Sequence, residues 1–486
     1  MKHLGTLLKN KRGALALVST VILLVMPPVY AGSADENGKN INWDRWRGPN
    51  RDGVSTETGW DPEFLKKPIK INWKKNVGRG YSNVSISGDF LYTMGHDVSA
   101  GKNIIYCLDI ATGKEVWRYS YKASSVGNLE TGDYDRSKTS RDSPNSGDRM
   151  NIGPRATPTV HGGMVYTLGQ DGDFLCNDAL TGKLVWQRQV TREFKAFLPV
   201  WKFTSSVNID GDRAVINAGS CGLALNRSTG EVIWSGGSGT GNYPTPLSYS
   251  AMGKARYAVF GNKDLHGVDA ESGKVLWTYP WQAVTDDYVN AADPLLWKDG
   301  ILFLVDSCKV GCALVDVSRD SPVTLWRNMN LKSEYATPVI IGNYIYGIHQ
   351  YQTSPGTLVC LDIRDGSEQW GREYFCHTNF SATKEYLIVM KESGELCIVK
   401  ASPDKYEKVS FKKKILGRKC ATAPVLCRST LYIRNDKGDL ISIDVSKNRK
   451  IGLKNYYYYY STQIAIMVKN IFGGIYEWIT GLWRGR

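Results

Sequence analysis

The strongest constraint on this chain is a nine-residue pattern that returns along its length. It reads Asp109-Ile-Ala-Thr-Gly-Lys-Glu-Val-Trp117, Asp178-Ala-Leu-Thr-Gly-Lys-Leu-Val-Trp186, Asn226-Arg-Ser-Thr-Gly-Glu-Val-Ile-Trp234 and Asp269-Ala-Glu-Ser-Gly-Lys-Val-Leu-Trp277. Weaker copies end at Trp326 and Trp370, another carries Val409 in place of the tryptophan, and an eighth stops at Asp444 without a closing strand. A unit that recurs every ~40–50 residues cannot bury its apolar face alone and must stack on its neighbours.

Each unit reads as four strands. An inner strand of the Ala-Thr-Pro-Thr-Val160 type leads to the tight turn Gly162-Gly163 and then to the alternating run Met164 to Leu168. Asp171-Gly172 makes the next hairpin, and Phe174-Leu-Cys176 is the third strand. Asp178 then opens a turn in which its carboxylate accepts backbone N–H bonds, Gly182 supplies a left-handed residue, and Leu184-Val-Trp186 is the fourth strand. Alternation of period two excludes helices over most of the chain. A tryptophan placed once per unit is the bulky filler that a wedge of twisted sheets needs where it widens outward.

Inner strands number eight, but fourth strands after them number seven. The missing one lies upstream: Ile71-Asn-Trp73-Lys-Lys matches the fourth-strand pattern and precedes the first inner strand. The expectation is therefore an all-β, eight-bladed propeller over residues 71–446, with this N-terminal strand completing the last blade (420–445) and removing the exposed sheet edge. The long interval between Trp117 and Trp186 holds an insert, 121–154, rich in Ser, Asp, Gly, Asn and Arg. Residues 32–70 read as a segment that packs on the ring, with Trp43, Trp46 and Trp60 as apolar anchors; carbohydrate stacking is their competing use.

The repeat resembles the one named for pyrroloquinoline quinone, shared by quinoprotein alcohol dehydrogenases and by the outer-membrane-protein assembly factor BamB, and the resemblance covers residues 73–445. Upstream, Trp43-Asp-Arg-Trp-Arg-Gly-Pro-Asn-Arg-Asp-Gly53, with Gly153-Pro-Arg-Ala-Thr-Pro158 and Lys419-Cys-Ala-Thr-Ala-Pro-Val425, is similar to exported propellers of that superfamily. The resemblance implies either an enzyme or a scaffold. The enzyme would hold its quinone between a tryptophan and a ring of two adjacent disulfide-bonded cysteines. It would also need a calcium ion on carboxylate and amide groups, and an aspartate base. This chain has no adjacent cysteines and no haem attachment motif, and Asp286, Asp287 and Asp293 are the nearest approach to an acidic cluster. BamB-like proteins need no catalytic residues and present rim loops to partner proteins; this chain lacks their lipidated cysteine.

The formal charge of +14 resides largely at the two ends. Residues 1–31 carry Lys2, Lys9, Lys11 and Arg12 without an acid, followed by the uncharged run Gly13 to Met26, and read as a secretory signal peptide. Residues 447–486 are basic apart from Glu477, with Tyr456 to Tyr460 and apolar residues from Ile464 to Leu482 at helical spacing; an interfacial amphipathic helix touching a membrane surface fits them. The ring between is near neutral, which argues against nucleic acid as a partner. Of ten cysteines, Cys107, Cys176, Cys312, Cys360 and Cys397 stand where a strand wants a small apolar side chain, while Cys308 and Cys312 flank a glycine-containing turn that can bring them across a hairpin as a disulfide. The six histidines show no metal-ligand spacing, and no metal site is assigned.

Residues just before the inner strands line one mouth of the channel, which selects Arg155, Tyr243, Tyr335 and Lys419 as candidates to hold an anionic or aromatic small molecule. No catalytic residue is assigned. The expected protein is a periplasmic or cell-envelope scaffold that needs no cofactor and meets envelope proteins through rim loops. A dehydrogenase using pyrroloquinoline quinone with Ca²⁺ on an alcohol or sugar is the alternative, and glycan binding a further one.

Overall fold

The computed structural model describes residues 42–447 except 68, 124–152, 200, 262, 282–289, 307–309, 334, 350–355, 376–377 and 418. The signal peptide, nearly all of the insert and the tail, together with Cys308, Asp286, Asp287 and His377, lie outside these residues.

The chain forms an eight-bladed propeller of antiparallel sheets. Blade 1 runs Ser85–Ser87, Phe90–Asp97, Lys102–Asp109 and Glu115–Lys122, each strand hydrogen-bonded to the next. Blades 2 to 6 repeat this meander, beginning at Thr159–His161, Asn208–Asp210, Leu247–Ala251, Leu295–Lys298 and Val339–Ile341. Blade 7 begins at Thr378–Thr383 and carries an extra parallel pair, Val54–Ser55, on its inner edge. Blade 8 has only three strands of its own, Val425–Cys427, Thr430–Arg434 and Asp439–Asp444; Lys70–Asn76 completes it, with Trp73 opposite Ser442. The ring is thus closed by its N-terminal strand.

Arg434 rivets this closure. Its guanidinium, fully buried between blades 8 and 1, donates to the carbonyls of Gly78, Ser82 and Met94 and to the Thr93 hydroxyl at 2.6–3.0 Å. Burial lowers its pKa to about 10, against the pull of Tyr106 and Asp436.

Among the described residues the apolar side chains gather in eight clusters, one between each pair of neighbouring blades. The repeated motif explains why. Asp109 Oδ1 accepts the Thr112 N–H at 2.8 Å, and the Gly113 N–H returns to the Asp109 carbonyl, which fixes a tight turn. That turn is the seat for the tryptophan of the preceding blade. Trp73, Trp117, Trp186, Trp234 and Trp326 each lie against the turn glycine of the next blade: Gly113, Gly182, Gly230, Gly273 and Gly366. A Cβ there would come within 2.5–2.8 Å of the indole. These glycines also have φ of +67 to +72°, so conformation and space demand the same residue. Each indole N–H donates to a carbonyl of that turn at 2.8–3.0 Å, as in Trp117 to Ala179. The strand under the tryptophan carries a small residue: Cys107 faces Trp117, Cys176 faces Trp186 and Cys360 faces Trp370. Burial pushes the Cys176 and Cys360 thiols up to about 12, as expected of inert core groups.

One detail of the sequence reading needs correction. The bulge in the last strand of blade 7 puts Ser410, not Val409, opposite Ile398 at the tryptophan position. Ser410 donates to the Pro62 carbonyl at 2.6 Å, and the space is filled from the N-terminal segment: Trp60, Phe64 and Leu65 enter the cluster between blades 7 and 8.

Candidate functional site: the central channel and its mouth

The ends of the inner strands build the channel wall. Two places before the first residue of the inner strand, blades 1 to 6 carry Asn83, Thr157, Ser206, Thr245, Asp293 and Thr337. These side chains link the blades in relay. The Thr157 N–H donates to Ser206 Oγ (2.9 Å), the Ser206 N–H to Thr245 Oγ1 (3.1 Å), the Thr245 N–H to Asp293 Oδ1 (2.8 Å) and the Asp293 N–H to Thr337 Oγ1 (3.0 Å). Asn83 Nδ2 continues the ring to the Ala423 carbonyl of blade 8 at 2.9 Å. Asp293 is the one member of this set that can carry a charge, and it is 8% exposed. Burial pushes its carboxyl up, against the pull of Arg47, the Trp46 indole and the Thr245 amide.

The second oxygen of Asp293 accepts the indole N–H of Trp46. This bond belongs to a larger arrangement that sequence reasoning missed: the segment from Trp43 to Ser55 lies in the channel. Trp43 exchanges both backbone bonds with Ile86 of blade 1, at 3.0 and 2.8 Å, and the Asp44 carbonyl accepts the Val160 N–H of blade 2 at 2.8 Å. Arg47 donates to the Thr337 and Pro338 carbonyls of blade 6 at 3.1 and 2.6 Å. The Gly53 carbonyl accepts the Ala382 N–H of blade 7, and Ser55 Oγ donates to the Leu426 carbonyl of blade 8. Within the segment the backbone folds over Arg47, whose carbonyl accepts the Gly53 N–H and whose side chain donates to the Arg51 and Asp52 carbonyls. Arg47, Gly48, Arg51 and Gly53 all have positive φ, and a Cβ on Gly48 would meet the Trp43 ring at 2.9 Å. Burial lowers the Arg47 pKa, and that of Arg51 to about 10.

Two small cavities remain beside this segment. One of about 10 Å³ lies next to Trp46, Arg47 and Asn379, and one of about 20 Å³ next to Arg45, Arg51 and Asp293. Each has room for about one water. A drug-sized ligand or cofactor needs several hundred Å³, more than either of these two cavities offers, and among the described residues no three His, Cys, Asp or Glu side chains cluster as metal ligands.

The mouth candidates divide. Arg155 and Tyr243, four places before their inner strands, come together with a residue the sequence reading passed over, Tyr81, which stands at the same place in blade 1. The Arg155 guanidinium lies 5.3 Å from the Tyr81 ring centroid, and both Tyr81 and Tyr243 act electrostatically on it while burial lowers its pKa. The signal for Tyr81 was its fixed distance from Ser85. Tyr335 holds the same place in blade 6 and is half-buried. Lys419 does not: Ala421 takes that place, and Lys419 is exposed, its N–H on the Glu392 carbonyl. Tyr243 Oη accepts the Trp201 N–H at 3.1 Å, which seats a raised lip on this face. In that lip Ala196–Phe197 pairs in parallel with Gly239–Thr240, leaving Phe197 60% and Trp201 40% exposed. Cys312 is buried and its Sγ donates to Asn328 Oδ1 at 3.2 Å; its suggested partner Cys308 is outside the described residues.

The family model described as outer membrane protein assembly factor BamB matches residues 60–242 and 101–372. The outer membrane protein assembly factor BamB of Burkholderia pseudomallei (strain K96243) is 26% identical over 341 residues, 61% of this chain and 80% of that protein. Among solved structures, BamB from Moraxella catarrhalis superposes with a TM-score of 0.55 at 13% identity, covering 77% of this chain and 99% of that one. Quinohemoprotein alcohol dehydrogenase from Comamonas testosteroni superposes with a TM-score of 0.58 at 12% identity, covering 85% and 82%. At such identities the structural likenesses establish the shared propeller and nothing about chemistry.

Proposed function

The chain belongs to the family of the outer membrane protein assembly factor BamB, and from that premise we propose that it is a non-catalytic scaffold of the cell envelope that holds protein partners on the rim of its ring. The observation that carries this reading is the filled channel. Where a ring of this kind would hold a small molecule, Trp43 to Ser55 and the relay around Asp293 leave room for single waters. What stays open to a partner is the rim, and there the lip at Ala196–Phe197 presents two large aromatic side chains to solvent. Exposed aromatic anchors on a rigid support are the usual core of a protein-binding surface. The export expected from residues 1–31 fits an envelope protein of this family.

The test places a photo-crosslinking residue at Phe197 or Trp201, and as a control at Met252, which is 66% exposed in the turn between the first two strands of blade 4, on the opposite face. Adducts with outer-membrane assembly proteins at the first two positions and none at Met252 are expected. Titration of the mature protein with pyrroloquinoline quinone, with and without Ca²⁺, should show no saturable heat. Calcium-dependent binding with dye-linked alcohol oxidation would overturn the scaffold reading in favour of a dehydrogenase.

A further inference from the structure

We propose that the central channel is a peptide-binding site, specific for a Trp-x-x-Trp-Arg-Gly segment, whose resident occupant is this chain's own Trp43 to Ser55, and that the same segment supplied as a separate peptide binds there. Inner strands are edge strands, and the backbone groups they turn to the channel need partners. The segment supplies them by the mode that peptide-binding sheets use: main-chain bonds at Ile86, Val160 and Ala382, and a short parallel strand, Val54–Ser55, on blade 7.

Specificity comes from side chains. Trp46 meets a buried carboxylate, that of Asp293, which faces Arg47 and Arg51 as well as the Thr245 amide. Arg47 reaches two carbonyls of blade 6, and Gly53 leaves space for that guanidinium, since a Cβ there would come within 3.0 Å of it. None of these contacts depends on covalent continuity. The described link from the segment to its next anchor, Trp60, passes through Thr56, Thr58 and Gly59, which are exposed, with only Glu57 buried between them. The segment is held as a ligand is held.

The experiment uses the full mature chain with a protease recognition sequence inserted between Thr58 and Gly59. After cleavage the upstream fragment is stripped in mild urea, the urea is removed, and a fluorescent peptide spanning residues 42–57 is added and followed by polarisation. Saturable uptake is expected, weakened at least 10-fold when the peptide carries Trp46→Ala and Arg47→Ala, and absent with the uncleaved chain. If the ring loses its sheet signal on stripping, recovery of that signal on adding the peptide supports the proposal, and failure to recover it overturns it. A stripped, folded ring that takes up neither peptide, or both equally, also overturns it. In a second arm the uncut chain carrying Trp46→Ala and Arg47→Ala is expected to take up the unmodified peptide; a folded variant that does not would contradict the proposal independently.

Discussion

The joint between blades 1 and 2 and the joint between blades 4 and 5 join the same kinds of sheet by different chemistry. At the first, Trp117 lies on Gly182 and its N–H reaches the Ala179 carbonyl of the next blade. At the second the next blade has no turn glycine: its turn reads Asp316-Val-Ser-Arg-Asp-Ser-Pro322. Trp277 then leans over its own sheet, where only Gly267 fits beneath it, and its N–H donates to Tyr249 Oη of its own blade at 3.1 Å. Beside the apolar cluster that this joint shares with the others, polar and cation–π contacts cross it in place of the indole bond: Arg256 to Asp320 at 2.6 Å, Tyr279 Oη to Thr324 Oγ1 at 2.7 Å, and Arg327 over Trp281 at 4.8 Å. The tryptophan and the turn glycine are one device divided between neighbours; Trp370, whose next turn (Lys400-Ala-Ser-Pro-Asp404) also lacks glycine, still donates across to the Ser402 carbonyl at 2.8 Å, so it is the joint between blades 4 and 5 that redirects its indole.

The largest expected effect comes from breaking the regular joint at its glycine. Gly182→Val forces a branched side chain into positive φ and into the Trp117 ring, and should cost about 4 kcal/mol, measured as a fall in the urea midpoint. Gly163→Ala is the control: its φ is +76° but nothing lies within 4 Å of the added carbon, so only the conformational cost of about 1 kcal/mol remains. Equal losses in the two variants would mean that the turn, not the tryptophan seat, demands glycine.

The joint between blades 7 and 8 extends the comparison, because there the tryptophan is missing and is replaced from outside the repeat. Trp60→Ala should cost about 3 kcal/mol and loosen this joint first, seen as faster amide exchange in Leu396–Lys400 and Asp439–Asp444 than in the strands of blades 1 and 2. Uniform loss of protection around the ring would show that Trp60 has no local role.

These joints also mark how far the sequence could be read. Strand order, turn chemistry and closure by Lys70–Asn76 follow from short-range alternation and from counting, since each is encoded within one unit. The mutual fit of Trp117 and Gly182 is not, because the partners sit in different copies and the motif presents them as members of one. The channel segment was the least legible. Trp43 to Ser55 has no periodicity, and its partners, from Ile86 to Leu426, are scattered over the whole chain. Asp293 read as a stray carboxylate for the same reason: its roles, as acceptor for Thr245 and for Trp46, exist only once the ring is closed.

At the irregular joint, Tyr249→Phe removes the acceptor of the Trp277 indole and leaves a buried N–H without its bond, for an expected loss of about 1–2 kcal/mol. The regular joints have backbone acceptors that no substitution removes, so the same tyrosine-to-phenylalanine change at Tyr92, beside Trp117, should cost less. No measurable loss at Tyr249 would mean that the indole bond at the irregular joint contributes nothing beyond packing; at Tyr92 the change removes only that hydroxyl's own bond to the Ala179 carbonyl at 3.1 Å, which keeps the Trp117 indole as donor.

The smallest effect concerns charge in the turn that seats the tryptophan. The hydroxyl and N–H of Ser272 hold the Asp269 carboxyl below its ordinary value of 3.8. A carboxyl whose pKa is depressed by folding adds stability above 3.8 and loses it as pH falls through the lower folded value. Asp269→Asn keeps the geometry, since Asn226 already serves the equivalent turn of blade 3, its Oδ1 accepting from Ser228 and Thr229 at 2.9 and 3.1 Å. Because the group is exposed, the variant should differ from the parent by less than ~1 kcal/mol at pH 7. The difference should shrink steadily below pH 4 and close in stronger acid. A gap that stays constant from neutral pH into acid would assign the aspartate's contribution to the shape of its hydrogen bonds alone, and the seat of Trp234 would then owe nothing to charge.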